Sequence, residues 1–206
     1  MRGLVLIALL FLAAPAWATV ILDFETLAHD DLLYVNAPNP YFEDGFRIDA
    51  THQLTTIGSG FTDPFMEPAY SGSTALHIRV PNDQAVLTQA DGALFDVISI
   101  DLSERNSWQS TPFTVTFTGE SPSGGGQITF TLDGTAFAAE TFLFDERFRD
   151  LSALHWRQED IYNGQQFVDL HQFDNIVVNP IPEPSTALLL AFGLVGMAVK
   201  RRRLLR

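Results

Sequence analysis

Phe113, Val115 and Phe117 alternate without a break with Thr114, Thr116 and Thr118. In an extended chain successive side chains point to opposite faces, so this stretch sets apolar groups on one side and hydroxyls on the other. A helix gathers neither set, because its period is 3.6 residues. The same pattern returns in "GFRIDA", where Phe46 and Ile48 alternate with Arg47 and Asp49. Other strand candidates are Thr19–Leu27, Ala75–Val80, Gln84–Gln89, Phe95–Leu102, Gln127–Asp133, Glu140–Asp145, Leu151–Gln158 and His171–Val178. The glycine-rich "SPSGGG" at Ser121–Gly126 reads as the turn of a hairpin. Longer connections are expected at Asn36–Gly45, His52–Thr74, Ser103–Pro112 and Glu159–Gln166, and "DERFRDL" as one helical turn. About ten short strands with no βαβ rhythm and no internal repeat predict an all-β fold. The expected architecture is an antiparallel β-sandwich of jelly-roll type.

Both ends of the chain depart from this pattern. The first 18 residues place Arg2 before an apolar run, Leu4–Ala14, and then the small residues Ala16 and Ala18 around Trp17. That order predicts a secretory signal peptide cut by signal peptidase after Ala18. At the other end, Ala187–Val199 is 13 residues without a charge, followed at once by Lys200 and Arg201–Arg203. As a helix the apolar run is about 20 Å long, short of a bilayer core of about 30 Å. Extending it to Ile181 comes closer, although Pro182 and Pro184 disfavour helix there. The basic block predicts a stop-transfer signal on the cytoplasmic side. The expected organisation is therefore a signal peptide at 1–18, a sandwich domain at 19–180 and an anchor segment at 181–206.

Between the ends the charge is one-sided. Of the 25 acids, 24 fall between Thr19 and Ile181 with only 6 of the 12 bases, an excess of 18 negative charges. Such a surface repels phosphates and argues against nucleic-acid partners. There is no cysteine, so an exported domain of this size relies on its core, on a metal, or on both.

"PEPST" (Pro182–Thr186), the apolar span and the arginine cluster, in that order, resemble the PEP-CTERM sorting signal of Gram-negative bacteria. The same segment is also known as an ice-binding protein C-terminal motif, a label that carries no evidence for ice binding. The resemblance implies recognition by an exosortase, with Pro182, Glu183, Pro184, Arg201, Arg202 and Arg203 as the recognition elements. It further implies transient membrane anchoring, cleavage near Pro-Glu-Pro and transfer to the cell surface or exopolysaccharide matrix. The body is similar to exported domains that precede such tails, through "DFE" (Asp23–Glu25), "YFEDGF" (Tyr41–Phe46), "FDVISIDL" and "FDNIVV" (Phe173–Val178). Those domains look like carbohydrate-binding jelly rolls. In such modules a structural calcium joins the first and last strands through an acid from each, and Glu25 and Asp174 match those positions.

Catalytic signatures are missing: no G-x-S-x-G, no H-E-x-x-H, no phosphate-binding glycine loop and no thiol. His29, His52, His77, His155 and His171 show no metal-ligand spacing, and acid pairs such as Asp30-Asp31 and Glu43-Asp44 arise by chance in so acidic a chain. For a glycan ligand the useful side chains are aromatics in loops, since sugar faces stack on flat rings. Trp108, flanked by polar residues, leads, followed by Tyr41, with Tyr34 and Tyr162 also next to expected loops. Trp156, in an alternating strand, is expected in the core. The sequence thus predicts a non-enzymatic, surface-sorted protein of the cell envelope or exopolysaccharide matrix that binds polysaccharide. Two rival readings are a secreted glycan-active hydrolase on the same anchor and a purely structural matrix protein.

Overall fold

The computed structural model describes residues 18–30, 34–59, 73–78, 83–104, 112–132, 139–157, 160–162, 165–167 and 171–181. Two antiparallel sheets form a sandwich. The seven-stranded sheet contains β1 (Val20–Leu22), β2 (Tyr34–Asn36), β5 (Leu54–Ile57), β6 (Leu76–Ile78), β8 (Phe95–Glu104), β11 (Glu140–Leu143) and β15 (His171–Pro180). Its order is β11-β8-β15-β6-β5-β2, with β1 also paired to β15. The six-stranded sheet contains β3 (Tyr41–Glu43), β4 (Phe46–Ala50), β7 (Gln84–Gln89), β9 (Phe113–Glu120), β10 (Gly126–Leu132) and β12 (Ala153–Arg157), in the order β10-β9-β12-β7-β4-β3. A separate hairpin joins β13 (Asp160–Tyr162) and β14 (Gln165–Phe167). The sandwich predicted from alternation is the fold.

The alternation also fixes the core. Val115 and Phe117 of β9 are fully buried while Thr114 and Thr118 face water. Trp156 of β12 is buried as expected; it stacks on Phe117 of its own sheet and meets Phe173 of β15 edge-on at 4.9 Å, joining the two layers. Phe24 and Phe173 add a second edge-on contact at 5.9 Å. Each such ring withdraws enough apolar area to stabilise the fold by roughly 2–3 kcal/mol. The hairpin predicted at "SPSGGG" pairs β9 with β10 in register from Gly126–Gly119 to Leu132–Phe113. Gly125 has φ +62°, and a Cβ there would lie 2.0 Å from the Gly119 carbonyl oxygen, so only glycine fits.

Two expectations are corrected. Strands β3, β5 and β13 occupy segments read as loops, because runs of three or four residues are too short to display a period. The opening run ends as a strand at Leu22: Phe24 takes a left-handed conformation and Glu25–Leu27 form a 3-10 turn, so Glu25 is not on the first strand. The single helical turn expected at "DERFRDL" is present, as the 3-10 segment Glu146–Phe148, capped by Asp145 accepting from the Arg147 amide.

Candidate functional site

Two places collect polar side chains. The first is the joint where the N-terminal segment crosses the sandwich. The left-handed Phe24 turns its amide toward β3, where it donates to Glu43 Oε2 at 3.3 Å. Thr26 Oγ1 lies 2.8 Å from the Tyr41 hydroxyl. Glu25 accepts from the Thr74 amide at 2.9 Å through Oε1 and from Thr74 Oγ1 at 3.2 Å through Oε2. The preceding residue, Ser73, donates to Asp174 Oδ2. Asp174 Oδ1 accepts from the Asn175 amide at 2.7 Å, and Asn175 Nδ2 donates to Asp101 Oδ2 at 2.9 Å. Consecutive residues Ser73 and Thr74 thus hold the two acids that the sequence singled out, and bring Glu25 and Asp174 into one neighbourhood.

Crowding acids in a partly dry joint shifts their protons. Burial pushes Asp174 up to about 6, with the Asp101 and Glu25 charges adding to the rise against the hydrogen bonds from Ser73 and Asn175. Burial likewise lifts Glu43 to about 7, with the Asp23 and Asp44 charges assisting. The donor set is all hard oxygen, which suits calcium. Among the described residues no three acidic or histidine side chains converge as a metal-holding group, so an ion here needs main-chain or water oxygens as well.

The second place is the outer face of the six-stranded sheet. Register sets two parallel rows across it. One runs Thr129, Thr116, Arg157, Gln84, and the other Gln127, Thr118, His155, Val86, Asp49. The longer row crosses five strands, about 19 Å at ordinary strand spacing. Gln84 Nε2 donates to His155 Nδ1 at 2.6 Å, which leaves the ring proton on Nε2, 3.1 Å from Glu120 Oε1. Thr116 and Thr129 share a hydrogen bond at 3.0 Å, and Gln127 donates to Thr118 at 3.3 Å. At the β3 edge Phe42 is 59% exposed, with the Arg47 guanidinium 6.0 Å from its ring centre and paired to Asp49 at 2.7 Å. The face therefore offers hydroxyls, amides and flat groups in a regular array.

Of the two aromatics proposed for stacking, Tyr41 is a correction: it is 5% exposed, inside β3, with its ring edge-on to Phe24. A tyrosine next to a loop in sequence is drawn inward once the loop proves to be a strand. Trp108 lies outside the described residues, as do the side chain of Tyr162 and residues Ala16, Pro182, Glu183, Pro184 and Arg201–Arg203. His155, Gln84 and Phe42 were not singled out for binding from the sequence. Their only signal was outward parity on a strand, and that gains meaning only when the strands are laid side by side. His171, by contrast, points into the core with neither ring nitrogen partnered, and burial pushes it down to about 4.

Among the described residues no helix is long and apolar enough to cross a membrane. Among solved structures, the chain is similar to a family 29 carbohydrate-binding module complexed with mannohexaose, at 10% identity and TM-score 0.42, covering 80% of this chain and 92% of that one. It is also similar to a DUF4465 family protein from Bacteroides ovatus, at 6% identity and TM-score 0.42, covering 80% and 99%. The family 32 carbohydrate-binding module from C. perfringens, in complex with galactose, matches at 13% identity and TM-score 0.32, covering 72% and 98%. No curated protein matches the sequence. Residues 180–203 match the PEP-CTERM protein-sorting motif, which marks the chain for export and surface sorting.

Proposed function

We propose that this is a non-catalytic glycan-binding protein of the cell envelope or exopolysaccharide matrix of a Gram-negative bacterium, and that the outer face of the six-stranded sheet holds the glycan. The observation that carries this reading is the pair of cross-strand rows centred on His155. Sugar rings present hydroxyls at near-regular spacing along one side and C–H groups on the other. Gln84, Thr116, Thr118 and Arg157 supply hydrogen bonds for the first, and Val86 and the His155 ring supply contact for the second. Among the described residues, Asp49 on this face pairs with Arg47, and Glu120 lies 3.1 Å from His155 Nε2. The sorting motif at 180–203 supports the surface address. On this reading signal peptidase cuts after Ala18 and an exosortase cuts near Pro182–Pro184, so intact mass of protein from a host with that enzyme lacks both ends.

The test is affinity electrophoresis of the recovered protein in gels containing the host's own exopolysaccharide. Retardation is expected to be weak, and to fall about tenfold in affinity in His155→Ala and Gln84→Ala. Retardation unchanged in both variants but lost in Trp108→Ala would move the site to the loops. Release of reducing ends that disappears in Glu120→Gln would replace binding by hydrolysis.

We further propose that Glu25 and Asp174 hold a structural calcium. Support comes from their meeting across Ser73-Thr74 and from the raised proton affinity of Asp174, which a cation in its place would satisfy. Calcium bound only by the native state raises stability by about 2.7 kcal/mol at a hundredfold excess over Kd. Melting temperatures of wild type, Glu25→Gln and Asp174→Asn in calcium and in magnesium at equal ionic strength decide it. A rise that is specific to calcium and absent from both variants is expected; equal rises in the two ions would exclude the site.

A further inference from the structure

Five large apolar side chains among the described residues stand exposed, and three of them lie together on the outer face of the seven-stranded sheet. Register places Leu143 of β11 opposite Ser99 of β8, Ser99 opposite Val177 of β15, and Val177 opposite Ile21 of β1. Leu143 is 70% exposed, Ile21 51%, and Ile98, beside Ser99 at an irregularity of β8, 39%. Val177 is half-buried between them. The row spans three strand spacings, about 14 Å. An apolar row of that width on a strongly acidic domain costs solubility and calls for an occupant.

The chain itself points to the occupant. Val177 is three residues from Pro180, where β15 ends and the sorting segment begins, and Val20 of β1 pairs with Val178. Both ends of the sandwich thus leave beside the row. From Ile181 to Thr186 there are six residues before the uncharged run Ala187–Val199. Fully extended, six residues reach about 20 Å. With that run in a bilayer, a tether of this reach keeps the domain within about 20 Å of the membrane surface, close enough for the row beside the chain's exits to touch it. Asp96, Asp101 and Asp174, on β8 and β15 of this sheet, match a zwitterionic lipid surface better than an anionic one.

We propose that the row Leu143, Ile98, Val177 and Ile21 seats the unprocessed protein on the outer surface of the membrane, and so presents the Pro180–Ile181 junction at bilayer level for sorting. The inference rests on reading 187–199 as a membrane segment, and the experiment separates the two. Because the chain has no cysteine, single-cysteine variants of the full chain take an environment-sensitive fluorophore at one position only. The labelled variants Leu143→Cys, Ile21→Cys, Thr118→Cys and Leu194→Cys are reconstituted in phosphatidylethanolamine–phosphatidylcholine vesicles with shallow or deep nitroxide-labelled lipid. Strong quenching by the shallow quencher is expected at positions 143 and 21, by the deep quencher at 194, and none at 118 on the opposite sheet. Quenching at 194 without quenching at 143 and 21 would overturn the docking and leave the anchor standing. No quenching at 194 would overturn the anchor reading and the docking with it. Equal quenching at 143 and 118 would mean unoriented adsorption, and would also overturn the proposal.

Discussion

On the six-stranded sheet the outward side chains of β9 and β10 bond to one another, Thr116 to Thr129 and Gln127 to Thr118, and His155 accepts from Gln84. On the seven-stranded sheet the outward row from Leu143 to Ile21 has no such partners and leaves methyl groups in water. Both faces sit on the same core and follow the same two-residue alternation, broken on the seven-stranded sheet by the irregularity beside Ile98. A polar face that bonds largely to itself can stay exposed at little cost and still exchange those bonds for others. An apolar row gains nothing until something covers it. The difference suits the two faces to the two partners proposed above, with the apolar row lying beside the ends of β1 and β15.

The largest expected effect removes what the faces share. Trp156→Ala takes away the ring between Phe117 and Phe173 and should lower stability by about 3–5 kcal/mol. Urea unfolding followed by circular dichroism measures it. A loss below about 1 kcal/mol would mean that the two layers are not joined there.

Gly125→Ala acts on one face alone. The added Cβ collides with the Gly119 carbonyl and the φ of +62° is strained for alanine, so a loss of about 2 kcal/mol is expected. Hydrogen exchange should quicken across the hairpin of β9 and β10 and stay unchanged at β11, β8 and β15. Uniform quickening would show that the faces are not separable.

The third prediction concerns pH. Glu43 keeps its proton to about 7 in the folded protein, whereas its ordinary value is 4.5. Between those values the folded state binds the extra proton, so stability falls as pH rises from about 4.5 through 7. Glu43→Gln removes that fall and should be the more stable protein at pH 8, by about 1–2 kcal/mol after allowance for solvent. His171 works in the opposite sense: it is neutral down to about 4 when folded and takes a proton near 6.5 when unfolded, so stability is lost as pH drops through that window. A stability profile of Glu43→Gln that parallels wild type between pH 5 and 8 would remove Glu43 as the cause.

The smallest effect is the sharpest test of the comparison. Leu143→Ser exposes no new core and should change stability by less than about 0.5 kcal/mol, as should Thr118→Val on the other face, which removes the hydroxyl and keeps the shape. Lipid contact should weaken only in the first and glycan retardation only in the second.

Much of the fold was legible in the chain because burial imposes a period. Phe113–Thr118 and Phe46–Asp49 declare strand and inward face at once, and "SPSGGG" declares the turn between β9 and β10. The same reading failed where the period had no room to appear: β3 was read as a loop, and with it Tyr41 as a solvent-facing ring. The address was legible as well, since a sorting motif is recognised as a linear segment and needs no fold to be read.

What tertiary structure decided is adjacency between distant segments. That Glu25 and Asp174 share Ser73-Thr74, 49 and 101 residues away, follows from chain paths which no local pattern encodes. That His155 stands between Thr118 and Val86, or Val177 between Ser99 and Ile21, is fixed by strand order and register. Alternation tells each strand which side chains face out but is blind to which strand lies next to it. A surface is made of neighbours, so sequence alone determined the faces and only folding determined the sites.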